Sequence, residues 1–271
     1  TENWLKVYNR ISKNKLNFEL IFVGPNEPNF KLPYNFKFIK SDVKPVQCYE
    51  IAARASQGEL IQFMTDDFMF EAENSLDILY KTYKDSNNYK NIFSMALSQD
   101  GKQHPLDNSR FDPMDSNSPI VGVSNAMSKI FYDELGGLDK NFIASMHDVD
   151  LALRAYCSGG NVFMTDIKVN EDKIEMSRGS NTCSEFWNFD RKHIIEIWDR
   201  KKNKYYRKTK FTGYSDLDLV KYSQGPRGRW RGNKPIIIEK FIDGPYKFCK
   251  IQIRRLLSFS KYIYYIKMIL K

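Results

Sequence analysis

The first 175 residues alternate between two patterns of apolar and polar positions, one typical of helices and one typical of buried strands. Five stretches have apolar residues at every third or fourth position and are predicted to be helices: 3–13, 45–58, 73–83, 129–135 and 147–157. Five short apolar runs that end near turn residues are predicted to be strands: 18–23, 36–39, 58–67, 92–97 and 162–164. This alternation predicts an α/β fold in which a mostly parallel sheet carries helices on both faces.

After about residue 175 the strand and helix alternation fades. Residues 185–198 are predicted to form an aromatic-rich helix, and residues 200–210 contain seven Lys or Arg. In residues 246–271 an apolar stripe at helical spacing runs opposite a basic side. We therefore divide the chain into an α/β domain, residues 1–175, and a basic, largely helical C-terminal extension, residues 176–271.

The two parts differ in charge. Residues 1–175 hold 19 basic and 25 acidic residues, a net charge of −6, whereas residues 176–271 hold 23 and 8, a net charge of +15. Such asymmetry indicates that the basic tail binds an anionic partner. A basic amphipathic helix suits an anionic membrane surface; the alternatives are packing on its own domain or on a second subunit of a homo-oligomer. Nucleic acid is a less well supported partner, because only the basic charge favours it and no recognition motif is present.

Composition excludes several other classes. No apolar run of about 18 residues predicts a membrane-spanning helix. The four cysteines are far apart and form no Cys-x-x-Cys pair, so we expect neither a zinc site nor a disulfide framework. No secretory signal is recognised, and the sequence begins with Thr rather than Met. We expect a cytoplasmic protein, either free or peripheral on the cytoplasmic face of the membrane.

Residues 58–70 place two adjacent carboxylates, Asp66 and Asp67, at the end of a predicted strand. Ligands of open α/β sheets bind beyond the carboxyl ends of the strands, and a hard divalent cation takes oxygen ligands that it often shares with phosphates. The pair therefore suits a metal site. The alternative is that both residues form a turn and cap the helix that begins near Glu73.

Two segments together resemble the family 2 nucleotide-sugar glycosyltransferases of the GT-A fold. Residues 52–67, AARASQGELIQFMTDD, are similar to the family's helix, Gly-Glu pair and strand that lead into its metal-binding Asp-x-Asp. Residues 134–142, ELGGLDKNF, and 147–160, HDVDLALRAYCSGG, are similar to its glycine turn and its Glu-Asp-x-Asp-Leu helix. The resemblance covers about residues 3–175. It implies metal-dependent, inverting sugar transfer from a nucleotide-diphosphate donor to a glycan or lipid-linked acceptor.

On the donor side, the resemblance assigns the metal ligand, for Mn²⁺ or Mg²⁺, to Asp67. Thr65 stands at the first Asp of the motif, a departure from the pattern; a Thr-Asp-Asp version is similar to that of the family's spore-coat polysaccharide glycosyltransferase. Asp66 would then face the ribose or the diphosphate.

On the acceptor side, the resemblance assigns the general base to Asp148. His147 replaces the family's preceding Glu, which puts contacts at that position in doubt. His147, Asp150 and His193 are candidates for acceptor or metal contacts. The alternative for Asp148 and Asp150 is stabilisation of the helix N-terminus through its dipole, and for the histidines a packed or surface position.

Other departures concern the donor nucleotide. The family's strand ahead of residues 18–23 has no counterpart, so either the sheet lacks a strand or the sequence does not include it. Gly24 and Pro25 stand where the family has an acidic pair that contacts the base, so donor binding at this turn must differ or be weak. Cations near the diphosphate would stabilise it. Our candidates are Lys40, Lys44 and Arg178, and their alternative is a solvated surface position.

These departures leave a second function open. A GT-A-like domain that has lost donor binding could serve as a catalytically impaired module that binds a glycan or a protein partner. Calorimetry with nucleotides separates the two functions.

Overall fold

The computed structural model of the chain describes residues 2–41, 43–65, 68–99, 102–103, 125–171, 181–201 and 204–219. These ranges contain the helices α1 Glu2–Ile11, α2 Pro45–Ala55, α3 Ser75–Asp85, α4 Lys129–Glu134, α5 His147–Cys157, α6 Asn181–Ile197 and α7 Asp216–Leu219. They also contain the strands β1 Leu20–Gly24, β2 Phe36–Lys40, β3 Leu60–Gln62, β4 Phe68–Phe70, β5 Ile92–Gln99, β6 Lys102–Gln103, β7 Asn125–Ser128, β8 Val162–Glu171, β9 Trp198–Lys201 and β10 Lys204–Arg207.

The predicted α/β class is confirmed, but the strand pairing is mixed rather than mostly parallel. The largest sheet has the order β3-β7-β5-β8-β4, with β6 beside β5, and only β5 and β8 run parallel among these described strands. A separate parallel pair joins β1 to β2. Periodicity locates a strand but not its partners. The sequence analysis also missed β7, which lies antiparallel between β3 and β5, and it did not foresee that β4 pairs antiparallel with β8.

Helices cover both faces of the large sheet, as predicted. Ile92 and Met127 point into a core cluster with apolar residues of α2, α4, α5 and α6. Their neighbours in sequence, Phe93 and Ala126, point into a second cluster with residues of α1 and α3. Because successive side chains of a strand point to opposite faces, the two clusters lie on opposite sides of the sheet.

The compact part of the chain continues past the predicted boundary at residue 175. The unit that contains the α/β domain extends beyond residue 175, to Trp230. Ile194, Trp198 and Tyr214 belong to the same buried cluster as α2 and α5. The α6 helix and the β9–β10 hairpin therefore complete the core of the α/β domain instead of extending from it.

The far C-terminal tail lies outside the described residues, and so does its predicted amphipathic helix. Its contact with a membrane or a partner stays a prediction. Within the described ranges, no helix has the length and apolar character that crossing a membrane requires.

Candidate active site

Asp148 lies in the first turn of α5 and is only 9% exposed. Burial raises the pKa of its carboxyl from 3.8 to about 7, against the opposing effect of hydrogen bonds with the backbone of Val149 and of Asp148 itself. No side chain of the described residues forms a hydrogen bond or an ion pair with this carboxylate. A carboxyl group with this pKa exchanges a proton near neutral pH, which is the property that a general base needs.

An aromatic stack connects α5 to the end of β3. Tyr49 of α2 stacks on the ring of His147, with centroids 5.2 Å apart and an interplanar angle of 28°. The same tyrosine meets Phe63, just after β3, edge-on at 5.8 Å. Phe63 is two residues before Thr65, the last described residue ahead of the carboxylate pair. The stack therefore brings together the two segments that carry the family resemblance.

His147 is neutral at physiological pH in this position. It is 4% exposed, and burial lowers the pKa of its imidazole to about 4, despite the opposing effects of Asp150 and a hydrogen bond with the Ser145 backbone. Its Nδ1 atom is buried and has no hydrogen-bond partner among the described residues. His147 therefore adds no charge beside Asp148.

Asp150 faces the other way and is fully paired. Its carboxylate lies 2.8 Å from Nε of Arg154, accepts a 2.9 Å hydrogen bond from Nε1 of Trp198 and lies 3.4 Å from Nε of Arg207. Arg207 also pairs with buried Asp139. Asp150 is 0% exposed and its carboxylate is held by contacts inside the protein, so it offers no oxygen to an acceptor in this structure.

Glu50 of α2 is a second buried, fully paired carboxylate, and the sequence analysis missed it. It accepts hydrogen bonds from the Tyr132 hydroxyl at 2.5 Å, the Leu138 amide at 2.9 Å and Nε of Arg54 at 2.7 Å. At Gly137 the φ angle is +79°, and an added Cβ would lie 2.6 Å from the Glu50 carboxylate. The glycine turn before α5 therefore needs glycine for both its backbone angle and its space.

Comparison with solved structures identifies the architecture. GalNAc-T7 in complex with UDP, GalNAc and Mn²⁺ matches 72% of this chain and 45% of its own chain, with a TM-score of 0.53 and 13% identity. S. aureus TarS 1–349 in complex with UDP-GlcNAc matches 71% of this chain and 62% of its own, with a TM-score of 0.51 and 14% identity. The chain has the fold of a GT-A glycosyltransferase.

A second structure of S. aureus TarS 1–349 matches 71% of this chain and 60% of its own, with a TM-score of 0.50 and 12% identity. This chain thus spans less than two thirds of each of these glycosyltransferase structures. No protein-family model and no curated protein sequence matches it. At these identities the comparison establishes the GT-A fold, and the activity has to be argued from the site.

The two lysines that we predicted to bind the donor diphosphate, Lys40 and Lys44, lie in different surroundings. Lys44 is 0% exposed, donates a hydrogen bond to the Lys140 carbonyl and lies 5.6 Å from the Tyr214 ring centre. Burial lowers the pKa of Lys44 to about 7, although nearby carboxylates oppose this. Its interior position differs from the solvated or diphosphate-binding position that we predicted. Lys40 is exposed and lies 2.9 Å from the Glu27 carboxylate.

Gly24 ends β1 and pairs with Lys40 across the parallel strands, and Pro25 follows in the turn. An added Cβ at Gly24 would lie 3.1 Å from the Phe22 ring, so this position is tight for any other residue. Whether this turn contacts a nucleotide stays a prediction.

His193 of α6 lies between two aromatic rings. Its ring centre is 5.0 Å from that of Phe142 and 6.3 Å from that of Phe189. Burial lowers its pKa, and its Nε2 atom has no hydrogen-bond partner among the described residues. The structure therefore brings His147 to Asp148, but places His193 in a packed aromatic setting.

The predicted residues Asp66, Asp67 and Arg178 lie outside the described residues. Within the described ranges, no three His, Cys, Asp or Glu side chains converge on a common point as a metal site would require. The hydroxyl of Thr65 is buried and has no partner in this part of the chain. It is a hard oxygen donor next to the predicted ligands, a donor type that fits Mn²⁺ or Mg²⁺.

Two polar residues that the sequence analysis missed lie on the sheet face that carries α5. Asn125 of β7 and Ser94 of β5 are direct cross-strand partners, and both are buried. The Asn125 amide and the Ser94 hydroxyl have no hydrogen-bond partners among the described residues. Such groups are rare in protein interiors and commonly bind water or a ligand. No sequence signal marked them, because β7 has no strong apolar run.

Proposed function

We propose that this protein is an inverting, metal-dependent glycosyltransferase that moves a sugar from a nucleotide-diphosphate donor to a hydroxyl group of a glycan or lipid-linked acceptor. One observation carries the proposal. In a GT-A fold, the Asp148 carboxylate is buried in the first turn of α5, and none of the described side chains is paired with it. A structural carboxylate in such a place is normally paired, as Asp150 is.

In the proposed reaction, Asp148 accepts the proton of the acceptor hydroxyl while that oxygen forms a bond to the anomeric carbon. The bond between this carbon and the diphosphate oxygen breaks, and the nucleoside diphosphate leaves with the electron pair. Attack from the face opposite the diphosphate inverts the anomeric centre. A positioned base contributes a factor of about 10²–10⁴ to the rate.

On the donor side, Asp67 would hold a Mn²⁺ or Mg²⁺ ion, and Asp66 would face the ribose or diphosphate. When bound, the ion supplies Lewis-acid stabilisation of the departing diphosphate. The hydroxyl of Thr65, which is buried and has no hydrogen-bond partner among the described residues, supports an oxygen-rich site here. Cationic side chains would add to this stabilisation. Lys40 and Arg178 remain candidates for that role, whereas Lys44 has its contacts inside the protein.

Isothermal titration calorimetry tests whether the donor site exists. UDP, GDP and dTDP are each titrated into the protein with Mn²⁺, and again after addition of EDTA. We expect metal-dependent heat from at least one nucleotide, followed by transfer from the matching sugar nucleotide to a mixed panel of glycan and lipid-linked acceptors. The neighbour TarS is known in complex with UDP-GlcNAc, which makes UDP-GlcNAc the first donor to try.

The absence of heat with all three nucleotides would contradict the proposal. That result would favour the catalytically impaired binding module, and the same protein would then be titrated with glycans alone. The tight, uncharged Gly24–Pro25 turn is the feature that favours this second function.

A further inference from the structure

Asp190 of α6 holds the loop that leads into α5. Its carboxylate is fully buried and accepts hydrogen bonds from three consecutive backbone amides. The amide of Ile143 lies 3.0 Å from Oδ1, and those of Ala144 and Ser145 each lie 2.8 Å from Oδ2. The Ser145 hydroxyl lies 3.4 Å from Oδ2. An ionised carboxylate has two oxygens that only accept hydrogen bonds, so it can serve all three amides at once.

These amides belong to the three residues that fix how the chain enters α5. Met146 follows with a φ angle of +59°, a left-handed conformation that is uncommon for a residue with a side chain. The helix begins directly after it, with the Asp150 amide bonded to the Met146 carbonyl at 3.1 Å. Asp148 therefore lies three residues beyond the last amide that Asp190 binds.

Independent contacts hold the other sides of the loop. The Val46 amide of α2 donates to the Ile143 carbonyl at 3.2 Å. Ile143 and Ala144 also form a small apolar cluster with Phe189, the residue before Asp190. Lys44 interacts electrostatically with Asp190 and supplies a nearby positive charge. The loop is thus fixed between the start of α2 and α6, which leaves little freedom in the direction of the first turn of α5.

We propose that Asp190 is a positioning residue for catalysis: through the amides of residues 143–145 it sets the place of Asp148. This inference rests on the proposed function, because it assumes that Asp148 is the base. It gives α6, which the sequence analysis assigned to the C-terminal extension, a role in positioning the catalytic base. A displacement of about 1 Å at a reacting group can reduce the rate about 100-fold, so the loop geometry matters even though Asp190 touches no substrate.

The test compares Asp190→Asn with Asp199→Asn. Asp199 lies on the adjoining β9 strand and accepts hydrogen bonds from the Arg200 amide and the Tyr206 hydroxyl, but it does not bind the loop. In Asp190→Asn an NH₂ group must face a backbone amide. We expect kcat to fall about tenfold to 100-fold with the donor KM nearly unchanged, since the defect lies in the orientation of the base. Asp199→Asn should keep the wild-type kcat.

The acid limb of the kcat–pH profile provides a second measurement. It should move in Asp190→Asn, because Asp148 enters a different environment, and stay in place in Asp199→Asn. A folded Asp190→Asn enzyme with the kcat and pH profile of the wild type would overturn the proposal. A purely structural defect would instead lower the melting temperature and leave the kcat of the folded fraction unchanged, which also overturns it.

Two further measurements apply if Asp190→Asn does not fold. Asp190→Glu keeps the charge but moves it by one methylene, and we expect a smaller fall in kcat; a wild-type kcat there would overturn the proposal. Hydrogen exchange on the wild-type protein should show the amides of residues 143–145 as protected as those of α5, and exchange at the rate of an open loop would also overturn it. If the wild type transfers no sugar from any donor, the proposed function itself is wrong. If the wild type is active and the Asp190 variants keep its kcat, only the role of Asp190 is wrong and the proposed function stands.

Discussion

Two buried carboxylates in the first turn of α5, Asp148 and Asp150, differ in their partners. Asp150 faces the β9–β10 hairpin and is paired with Arg154, Trp198 and Arg207. Asp148, two residues earlier, is nearly as buried but has no such partner among the described side chains, and burial raises the pKa of its carboxyl to about 7. Burial alone thus does not separate a structural carboxylate from a catalytic candidate; the presence of partners does.

The largest expected effect comes from making the same change at both positions. Asp150→Asn leaves Arg154 and Arg207 buried next to a neutral amide, so the free energy of unfolding should fall by about 3–5 kcal/mol. Asp148→Asn removes no ion pair with any described side chain, and at pH 8 it should leave the protein at least as stable as the wild type. Urea denaturation of both variants measures the difference. Equal losses would mean that pairing does not distinguish the two carboxylates.

The pH dependence of stability sharpens the comparison. The Asp148 carboxyl has a pKa of about 7 in the folded protein and an ordinary value of 3.8. The folded state therefore binds more protons between these values, and stability falls as pH rises from about 4 to 7. Each pH unit in this window contributes up to about 1.4 kcal/mol.

Urea midpoints of the wild type and Asp148→Asn, measured at intervals from pH 4 to pH 8, isolate this effect. The contribution of His147 is common to both proteins, so it largely cancels in their difference. We expect the wild type to lose stability relative to the variant as pH rises. A constant difference across the range would show that Asp148 titrates normally.

The smallest expected effect is at the exposed ion pair of Lys40 and Glu27, which contrasts with the buried pairs of Asp150. Exposed pairs contribute about 0–1 kcal/mol, so Lys40→Ala should change the free energy of unfolding by less than about 1 kcal/mol. If Lys40 also contacts the donor diphosphate, the same variant raises the donor KM. Steady-state kinetics with varied donor concentration check this; an unchanged KM would remove Lys40 from the donor site.

The sequence predicted the elements well where the pattern is local. The bounds of α5, residues 147–157, were predicted to the residue, because its apolar positions follow the helical period and a glycine pair closes it. The start of α2 at Pro45 was also correct. The four residues of β7 carry no such pattern, so its antiparallel pairing with β3 and β5 could not be inferred.

The difference between Asp148 and Asp150 could not be predicted from the sequence, because it depends on partners distant along the chain. Trp198 and Arg207 lie about fifty residues further on, in a segment that we assigned to the C-terminal extension. The burial of Lys44 has a similar cause, since it depends on Lys140 and Tyr214. Motif context pointed to Asp148, but only long-range contacts show that Asp150 is the one of the two carboxylates that forms ion pairs with described residues.

The central claim is that Asp148 is the base of a sugar-transfer reaction. The most direct test is the transfer rate of Asp148→Asn, measured with the donor that calorimetry identifies, beside the nucleotide affinity of the same variant. We predict that the rate falls by a factor of about 10²–10⁴ while nucleotide binding is retained, because the amide cannot accept the proton. A folded variant that transfers sugar at the wild-type rate would contradict the claim.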